Sequence, residues 1–303
     1  MLDVRAVRRG LRSATDAVRI VATGSTAAAR DLTATDARLR APVSTTRRIA
    51  VLQADGGAGA TTVVARSGAV LHRRRGGGVL VVDAARGQAC LAARTGVQVP
   101  LGLAQSRSRA SGVVRATQVR AWFPHTAAGL VVLGAGTDGD EPWPASLEQW
   151  RGAVDPVARF FEVVVTDWGV RTSDEDLAQI AQAHDVVAVT ARADRGCAER
   201  GLALVARFAA LAPATRVALL LVDLGGTGGS TAALVERQVR SSRPAPWVAA
   251  VPHEPRLGAG VYLDDGTPLT LAARCAYARV AGGLLSLSCD PALPVIPAAP
   301  TGA

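Results

Sequence analysis

A glycine-rich segment contains the residue types that best fit a chemical role. Residues 54–62 read Ala-Asp-Gly-Gly-Ala-Gly-Ala-Thr-Thr and follow the apolar run Arg48–Gln53. Glycines let the backbone approach a ligand closely, and the N–H groups at the start of a helix can surround a phosphate. The amphipathic stretch Thr61–Arg75 follows directly and predicts such a helix. We call residues 54–62 the glycine loop and predict that it is a phosphate-binding turn between a strand and a helix.

The elements that position this loop follow from the pattern of apolar residues. Short Val/Leu-rich runs predict strands at Arg48–Gln53, Val79–Val82, Gly129–Leu133, Phe161–Thr166, Val186–Thr190, Val217–Val222 and Trp247–Val251. Longer stretches predict helices at Thr61–Arg75, Ser146–Ala158, Asp174–Ala183, Cys197–Leu211, Thr231–Arg240 and Leu269–Leu287. Apolar strands that alternate with helices indicate an α/β fold with a mainly parallel, doubly wound sheet covered by helices on both faces.

The sequence divides into three predicted parts. Residues 1–46 form a basic helical extension and linker, residues 47–288 form the α/β domain, and residues 289–303 form a disordered Pro/Ala-rich tail. In the extension, apolar residues from Val4 to Val21 recur at steps of three and four, which predicts a helix. A shorter helix is expected near Ala28–Leu39, closed by Pro42.

The charge of the chain is carried by arginine, because the sequence contains neither lysine nor asparagine. All 34 basic residues are therefore arginines, the net charge is +9, and ten of the arginines lie in residues 1–48. This charge predicts an acidic partner, either nucleic acid or an anionic membrane surface. For the N-terminal helix, packing against the domain or a partner and lying on anionic lipid both stay open.

Several classes of protein are excluded by what the sequence lacks. No apolar run has the length of a membrane span, and the basic N-terminus lacks the apolar core of a signal peptide. We therefore expect a cytoplasmic location, with peripheral membrane association as an alternative. The four cysteines are far apart, which predicts reduced thiols without a metal, and there is no G-x-S-x-G nucleophile motif.

The glycine loop resembles the deviant Walker A loop of the MinD/ParA family, x-K-G-G-V-G-K-T-T. The resemblance runs from about Arg48 to Leu287. The strand that ends at Asp167 is similar to the family's Walker B strand, and Val251–Leu257 is similar to its "iPyDprL" segment. Residues 39–42 (Leu-Arg-Ala-Pro) and the extension are most like MinD-like accessory proteins of actinobacterial type VII secretion.

This resemblance implies a site for ATP or ADP with Mg²⁺. The residues implied to surround the nucleotide are Asp55, Gly56, Gly57, Ala58, Gly59, Ala60, Thr61, Thr62 and, at the adenine position, Asp223. Those implied for Mg²⁺ are Thr61, Asp83 and Asp167, although the second aspartate of the family's D-x-D motif is Ala85 here. A strand-terminal aspartate can instead cap a helix or a loop, and this alternative stays open for Asp83 and Asp167.

Both lysines of the family's loop are replaced. The resemblance implies that the second lysine bridges the β- and γ-phosphates and that the first reaches the nucleotide of a dimer partner, and these positions are Ala60 and Asp55. Two like charges 4 Å apart repel by about 1 kcal/mol in water and about 4 kcal/mol near a protein surface. The sequence therefore predicts a degenerate family member, a pseudo-ATPase that acts as an adaptor or positioning partner and forms dimers.

Two other functions stay open at this point. One is an ATPase in which arginine replaces the missing lysines, and the other is a module that binds DNA or an anionic membrane through the extension. A second glycine-rich segment, Gly225–Ser230, is predicted to be a turn with Ser230 as helix cap, in preference to a second anion site.

Overall fold

Strands and helices alternate along the chain in the computed structural model, which describes residues 26–85, 91–97, 101–134, 144–240, 246–258 and 269–289. The strands are β1 (Arg47–Gln53), β2 (Val79–Asp83), β3 (Val131–Leu133), β4 (Val163–Val170), β5 (Val186–Arg192), β6 (Arg216–Val222) and β7 (Trp247–Val251). The helices are α1 (Thr26–Arg40), α2 (Ala60–Arg75), α3 (Leu91–Thr95), α4 (Leu103–Ala110), α5 (Ala116–Trp122), α6 (Leu147–Ala158), α7 (Asp174–Ala183), α8 (Arg195–Leu211), α9 (Gly229–Arg240), α10 (Pro255–Gly258) and α11 (Leu271–Cys289).

The strands form one sheet in the order β3-β2-β4-β1-β5-β6-β7. Every pairing between these strands is parallel, which confirms the predicted α/β fold. Strand β1 is the central strand, and its neighbours β4 and β5 come from a later part of the chain. In open sheets of this kind, ligands bind beyond the carboxyl ends of the strands where the strand order reverses. The loop that follows β1 lies at that position.

Two apolar cores lie on the two faces of the sheet. Successive residues of β1 alternate between them: Ile49 and Val51 pack with α1, α2, α3 and α11, whereas Ala50 and Leu52 pack with helices α4 to α9. These β1 side chains are fully buried. The sheet is therefore doubly wound, as the continuous apolar strands predict.

Helix α1 confirms the helix predicted near Ala28–Leu39 and packs on the domain. Its residue Leu39 is 1% exposed and belongs to the core beneath α2 and α11. Arg75, at the end of α2, donates hydrogen bonds to the backbone oxygens of Leu39 (3.0 Å) and Ala41 (2.8 Å) and pairs with Glu162. These contacts fix the chain between α1 and β1. The helix predicted from Val4 to Val21 and most of the predicted tail lie outside the described residues.

The predicted helices agree with the observed ones to within two residues at each end. The sequence reasoning missed α3, α4 and α5, between β2 and β3, and the short α10. Among the described helices, none has the length and apolar character needed to cross a bilayer.

Candidate functional site

The glycine loop joins β1 to α2 in a conformation that depends on glycine. Gly57 and Gly59 have φ angles of 77° and 88°, in the left-handed region that other residues rarely adopt. Gly59 also lies against β6, because a Cβ atom there would be 3.4 Å from the side chain of Val222. Ala58 is fully buried, whereas Gly56 is exposed at the tip. The predicted strand, turn and helix are therefore present.

One backbone amide of the loop is bound within the protein. The N–H of Ala58 donates to Oε1 of Gln53, the last residue of β1, at 3.0 Å. The Gln53 side chain therefore takes up a backbone N–H group that a phosphate-binding loop would offer to a ligand. The sequence reasoning missed Gln53, although a polar residue at the end of an apolar strand next to the loop is a visible signal.

Asp55, at the first lysine position of the family motif, forms an ion pair with Arg200 of α8. The Arg200 Nε to Asp55 Oδ1 distance is 2.7 Å, and the Asp55 side chain is 23% exposed. The hydrogen bond from Arg200 holds the pKa of Asp55 below its usual value. The negative charge that the sequence placed opposite a phosphate is therefore offset by a cation that the sequence reasoning did not identify.

Arg200 is held by a second contact. Its Nη2 donates to Sγ of Cys197 at 3.2 Å, and Nε of Arg192 donates to the same sulfur at 3.2 Å. Cys197 is buried, which raises the pKa of its thiol, and its backbone N–H donates to the helix-capping side chain of Asp194. The start of α8 therefore fixes the guanidinium that pairs with Asp55.

The predicted metal residues converge at the start of α2. Asp83 and Asp167 are directly paired in register between β2 and β4, and both are buried. The Thr61 hydroxyl donates to Oδ2 of Asp167 at 2.6 Å, and the Gly169 N–H donates to its Oδ1 at 3.0 Å. Asp83 Oδ2 accepts from the Leu91 N–H at 2.8 Å. Both carboxylates thus accept from backbone N–H groups, as the capping alternative expects, and that of Asp167 also accepts from the Thr61 hydroxyl.

Burial raises the pKa of Asp167 to about 7, and the negative charge of Asp83 acts in the same direction. The hydrogen bonds from Thr61 and Gly169 and the charge of Arg171 oppose this rise. Arg171 is itself buried and donates to the carbonyl oxygens of Ala84 and Ala145. The Asp167 carboxyl group therefore keeps its proton to a higher pH than an ordinary aspartate does.

These oxygens fit Mg²⁺ only as part of a larger ligand set. Mg²⁺ prefers oxygen ligands and is usually held by one or two carboxylates together with phosphates. Thr61, Asp83 and Asp167 supply oxygens of that kind, but the described residues contain no group of three or more His, Cys, Asp or Glu that could hold a metal ion. A metal here would depend on the phosphates of a bound nucleotide.

A pocket of about 400 Å³ opens beside the loop. It is lined by Gln53, Gly57, Gly59, Ala60, Thr61, Thr62, Arg94, Val222, Asp223, Leu224, Val251, Pro252, His253, Glu254, Leu257 and Tyr277. Most of the predicted nucleotide-binding residues therefore meet in one cavity, while Asp55 lies outside its lining. Among the described residues that line the pocket, Arg94 is the one arginine. Its Nη1 donates to the backbone oxygen of Leu257 at 3.4 Å. The sequence reasoning did not identify Arg94.

Asp223 lines the pocket, but both of its carboxylate oxygens bind the loop that follows β6. Oδ1 accepts from the N–H groups of Gly225 (3.1 Å) and Gly226 (2.7 Å), and Oδ2 accepts from Gly228 (3.0 Å). The predicted turn is confirmed. The prediction that Ser230 caps the following helix was wrong, because α9 begins at Gly229. The Asp223 carboxylate already accepts hydrogen bonds from the backbone N–H groups that a second anion would need.

Comparisons with known proteins agree with this geometry at the level of the fold. No family sequence model matches the chain, and a search of curated protein sequences found no match. The ParA family ATPase of Chlorobium tepidum TLS is 16% identical, with a TM-score of 0.62 over 78% of this chain and 98% of that one. A chain of the MinC:MinD cell division protein complex of Aquifex aeolicus is 18% identical, with a TM-score of 0.57 over 78% and 96%.

A third match is the septum site-determining protein MinD of Pyrococcus horikoshii OT3, which was solved with Mg-ADP. It is 17% identical, with a TM-score of 0.53 over 78% of this chain and 95% of that one. Likeness at this level of identity establishes the fold, and the matches span nearly the whole of each solved chain. The chain therefore has the MinD/ParA-like P-loop NTPase fold.

Proposed function

We propose that the chain is a pseudo-ATPase of the MinD/ParA type, which acts as an adaptor or positioning partner. The observation that carries this proposal is the charge at the two lysine positions of the loop. Asp55 at the first position is paired with Arg200, and Ala60 at the second is an uncharged residue in the wall of the pocket. The backbone form of the loop is kept, while its cations are replaced.

Phosphoryl transfer depends on cations that offset the negative charge developing on the phosphates. The amides of the glycine loop are weak substitutes, and the amide of Ala58 is already bound to Gln53. Arg200 cannot serve without leaving Asp55 unpaired. Mg²⁺, when held with nucleotide phosphates by Thr61 and Asp167, would supply positive charge at the opposite end. A nucleotide would then be held only weakly and would not be hydrolysed.

The adaptor part of the proposal rests on apolar side chains near the loop. Val170 at the end of β4 and Leu224 after β6 are 42% and 47% exposed. Both lie at the edge of the sheet where the carboxyl ends of the strands meet the glycine loop. Exposed apolar groups at one edge favour contact with a protein partner or a second copy of the chain. We include in the proposal that this partner belongs to a secretion or envelope system, as residues 39–42 suggest.

A measurement of phosphate release from Mg-ATP tests the loss of hydrolysis. The matched control is Thr61→Ala, which removes the hydroxyl beside Asp167 and leaves the loop glycines in place. We expect the full chain to release no more phosphate than this control, because the charge needed for transfer is absent in both. Turnover by the unchanged chain clearly above that of Thr61→Ala would contradict the proposal.

A second candidate function, nucleotide binding through arginine, is favoured by the position of Arg94. This side chain lies in the same pocket as Thr61 and the loop, where its charge could face a phosphate. Under this candidate, Arg94→Gln weakens ADP binding about ten-fold, the cost of losing one charge-assisted hydrogen bond. Arg195→Gln, at a side chain that is 91% exposed on α8, is the control. Equal ADP affinity in both variants would remove the candidate.

A further inference from the structure

One stretch of the chain carries positive charge without any carboxylate. Residues 84–137 contain six arginines and no aspartate or glutamate. Helices α4 and α5 lie within this stretch and are joined by a short turn at residues 111–115. Any negative charge that offsets these arginines must come from elsewhere in the chain or from a partner.

The arginines around this turn are exposed. Arg107, Arg109 and Arg115 lie on α4 and at the start of α5, and Arg159, at the end of α6, donates to the backbone oxygen of Val113 at 2.9 Å. Arg109 is bound to the backbone oxygen of Trp122 at 2.6 Å. Within the described part of the chain, none of the four forms an ion pair with a carboxylate. Among the described residues, no carboxylate is paired with their charge.

Two exposed apolar side chains lie beside these cations. Val114, in the turn, is 68% exposed, and Trp122, at the end of α5, is 38% exposed. The Trp122 ring packs over the turn, because a Cβ atom at Gly112 would be 3.5 Å from its Cζ3. We define the hairpin patch as Arg107, Arg109, Val114, Arg115, Trp122 and Arg159.

We propose that the hairpin patch binds the chain to an anionic phospholipid surface. Arginines reach lipid phosphates, and tryptophan is favoured at the boundary between headgroups and hydrocarbon. An exposed apolar residue in a turn beside arginines suits insertion among lipid headgroups. The arginine charge and the exposed apolar side chains together favour an anionic bilayer as the partner.

This inference goes beyond the proposed function and uses none of the residues of the glycine loop. The extension is also basic, and residues 1–25 lie outside the described part of the chain. A test must therefore report on the patch itself and use the full chain. Substitutions at exposed side chains report on the hairpin patch. Thermal unfolding then checks that each variant is folded.

Co-sedimentation with vesicles tests the proposal. We expect the full chain to bind vesicles that mix phosphatidylglycerol with phosphatidylcholine and not vesicles of phosphatidylcholine alone. Each Arg→Gln change is expected to weaken binding about five-fold, so the triple change at Arg107, Arg109 and Arg115 should weaken it roughly 100-fold. Val114→Asp should also weaken it about ten-fold. The matched control is Leu234→Asp, at an apolar residue of α9 that is 60% exposed, and it should bind like the unchanged chain.

Quenching of tryptophan fluorescence by brominated lipid separates the patch from the extension. We expect quenching on anionic vesicles in the unchanged chain and its loss in Trp122→Phe, which keeps an aromatic side chain at this position. Unchanged quenching in Trp122→Phe, unchanged binding of Val114→Asp and the triple variant, or equal binding to neutral vesicles would each overturn the proposal. Binding of duplex DNA through the same arginines, without vesicle binding, would overturn it as well.

Discussion

The candidate site has a loop end and a carboxylate end, which keep different amounts of phosphate chemistry. At the loop end, Asp55 and Ala60 occupy the positions where the resemblance implies lysines, and the acid is paired with Arg200. At the carboxylate end, the Thr61 hydroxyl lies 2.6 Å from Asp167, which is in register with Asp83. The shape of the site, which glycines and the strand order determine, is therefore separable from its charge.

The difference also shows how each end is stabilised without a ligand. The loop end pairs its acid with an arginine and caps an amide with Gln53. The carboxylate end has two buried acids side by side, and the protonation of Asp167 relieves their repulsion. The loop end thus holds its acid in an ion pair, whereas the carboxylate end places two acids side by side, an arrangement that favours a cation.

The largest predicted effect comes from restoring charge to the loop end. The triple variant Asp55→Lys, Ala60→Lys, Arg200→Gln places two ammonium groups on the glycine loop and removes the guanidinium that would repel the first. Two charge-assisted contacts of roughly 2 kcal/mol each should tighten Mg-ATP binding by about 4 kcal/mol, or nearly 1000-fold. Isothermal titration measures this gain.

The control for this variant places glutamine at all of the same positions, which keeps side-chain length without charge. We expect it to bind nucleotide no better than the unchanged chain. A comparable gain in the glutamine variant would show that loop shape, and not charge, limits binding, and the comparison between the two ends would fail.

A smaller effect is predicted at the carboxylate end as a function of pH. Because the folded pKa of Asp167 is about 7 against an ordinary 3.8, the folded chain keeps a proton that the unfolded chain has lost. This contribution to stability is complete at low pH and disappears as the pH rises through about 7. Asp83→Asn removes a like charge, so its stability relative to the unchanged chain should increase by about 1 to 2 kcal/mol from about pH 5 to about pH 8.

The comparison with Asp83→Asn is needed because the contribution of His184 to stability changes with pH in the opposite direction. Burial lowers its pKa to about 3, so its contribution to stability is lost as the pH falls below its ordinary value of 6.5. This contribution cancels between the variant and the unchanged chain. Urea unfolding across the pH range provides the data. A stability difference that does not change with pH would show that Asp83 and Asp167 do not interact.

The smallest effect is predicted for the ion pair that neutralises the loop. Both side chains reach solvent, so Arg200→Gln should lower the free energy of unfolding by at most about 1 kcal/mol. A double-mutant cycle with Asp55→Asn, measured by urea unfolding, isolates the pair. A coupling energy of zero at low salt would mean that Arg200 does not hold Asp55 in solution.

Local patterns in the sequence were sufficient to predict most of the fold. The Val/Leu runs and the glycines of residues 54–62 are local signals, and they located β1, the loop and α2 to within one residue. Helices α3, α4 and α5 were missed because they are five to eight residues long. Helices that short are stabilised mainly by packing and leave little periodicity to detect.

The charges of the site were harder to predict than its shape. Arg200 is separated from Asp55 by 145 residues, and only the packing of α8 on β5 and β6 brings them together. The raised pKa of Asp167 likewise depends on burial and strand register. The role of Asp223 could have been found, since an aspartate followed by glycines is typical of a side chain that caps its own turn.

The most direct test of the central claim is isothermal titration of Mg-ATP into the unchanged full chain. If the loop end has lost its affinity for a triphosphate, the titration gives no heat of binding beyond dilution. Saturable binding of one nucleotide per chain, with a dissociation constant in the micromolar range, would contradict the account.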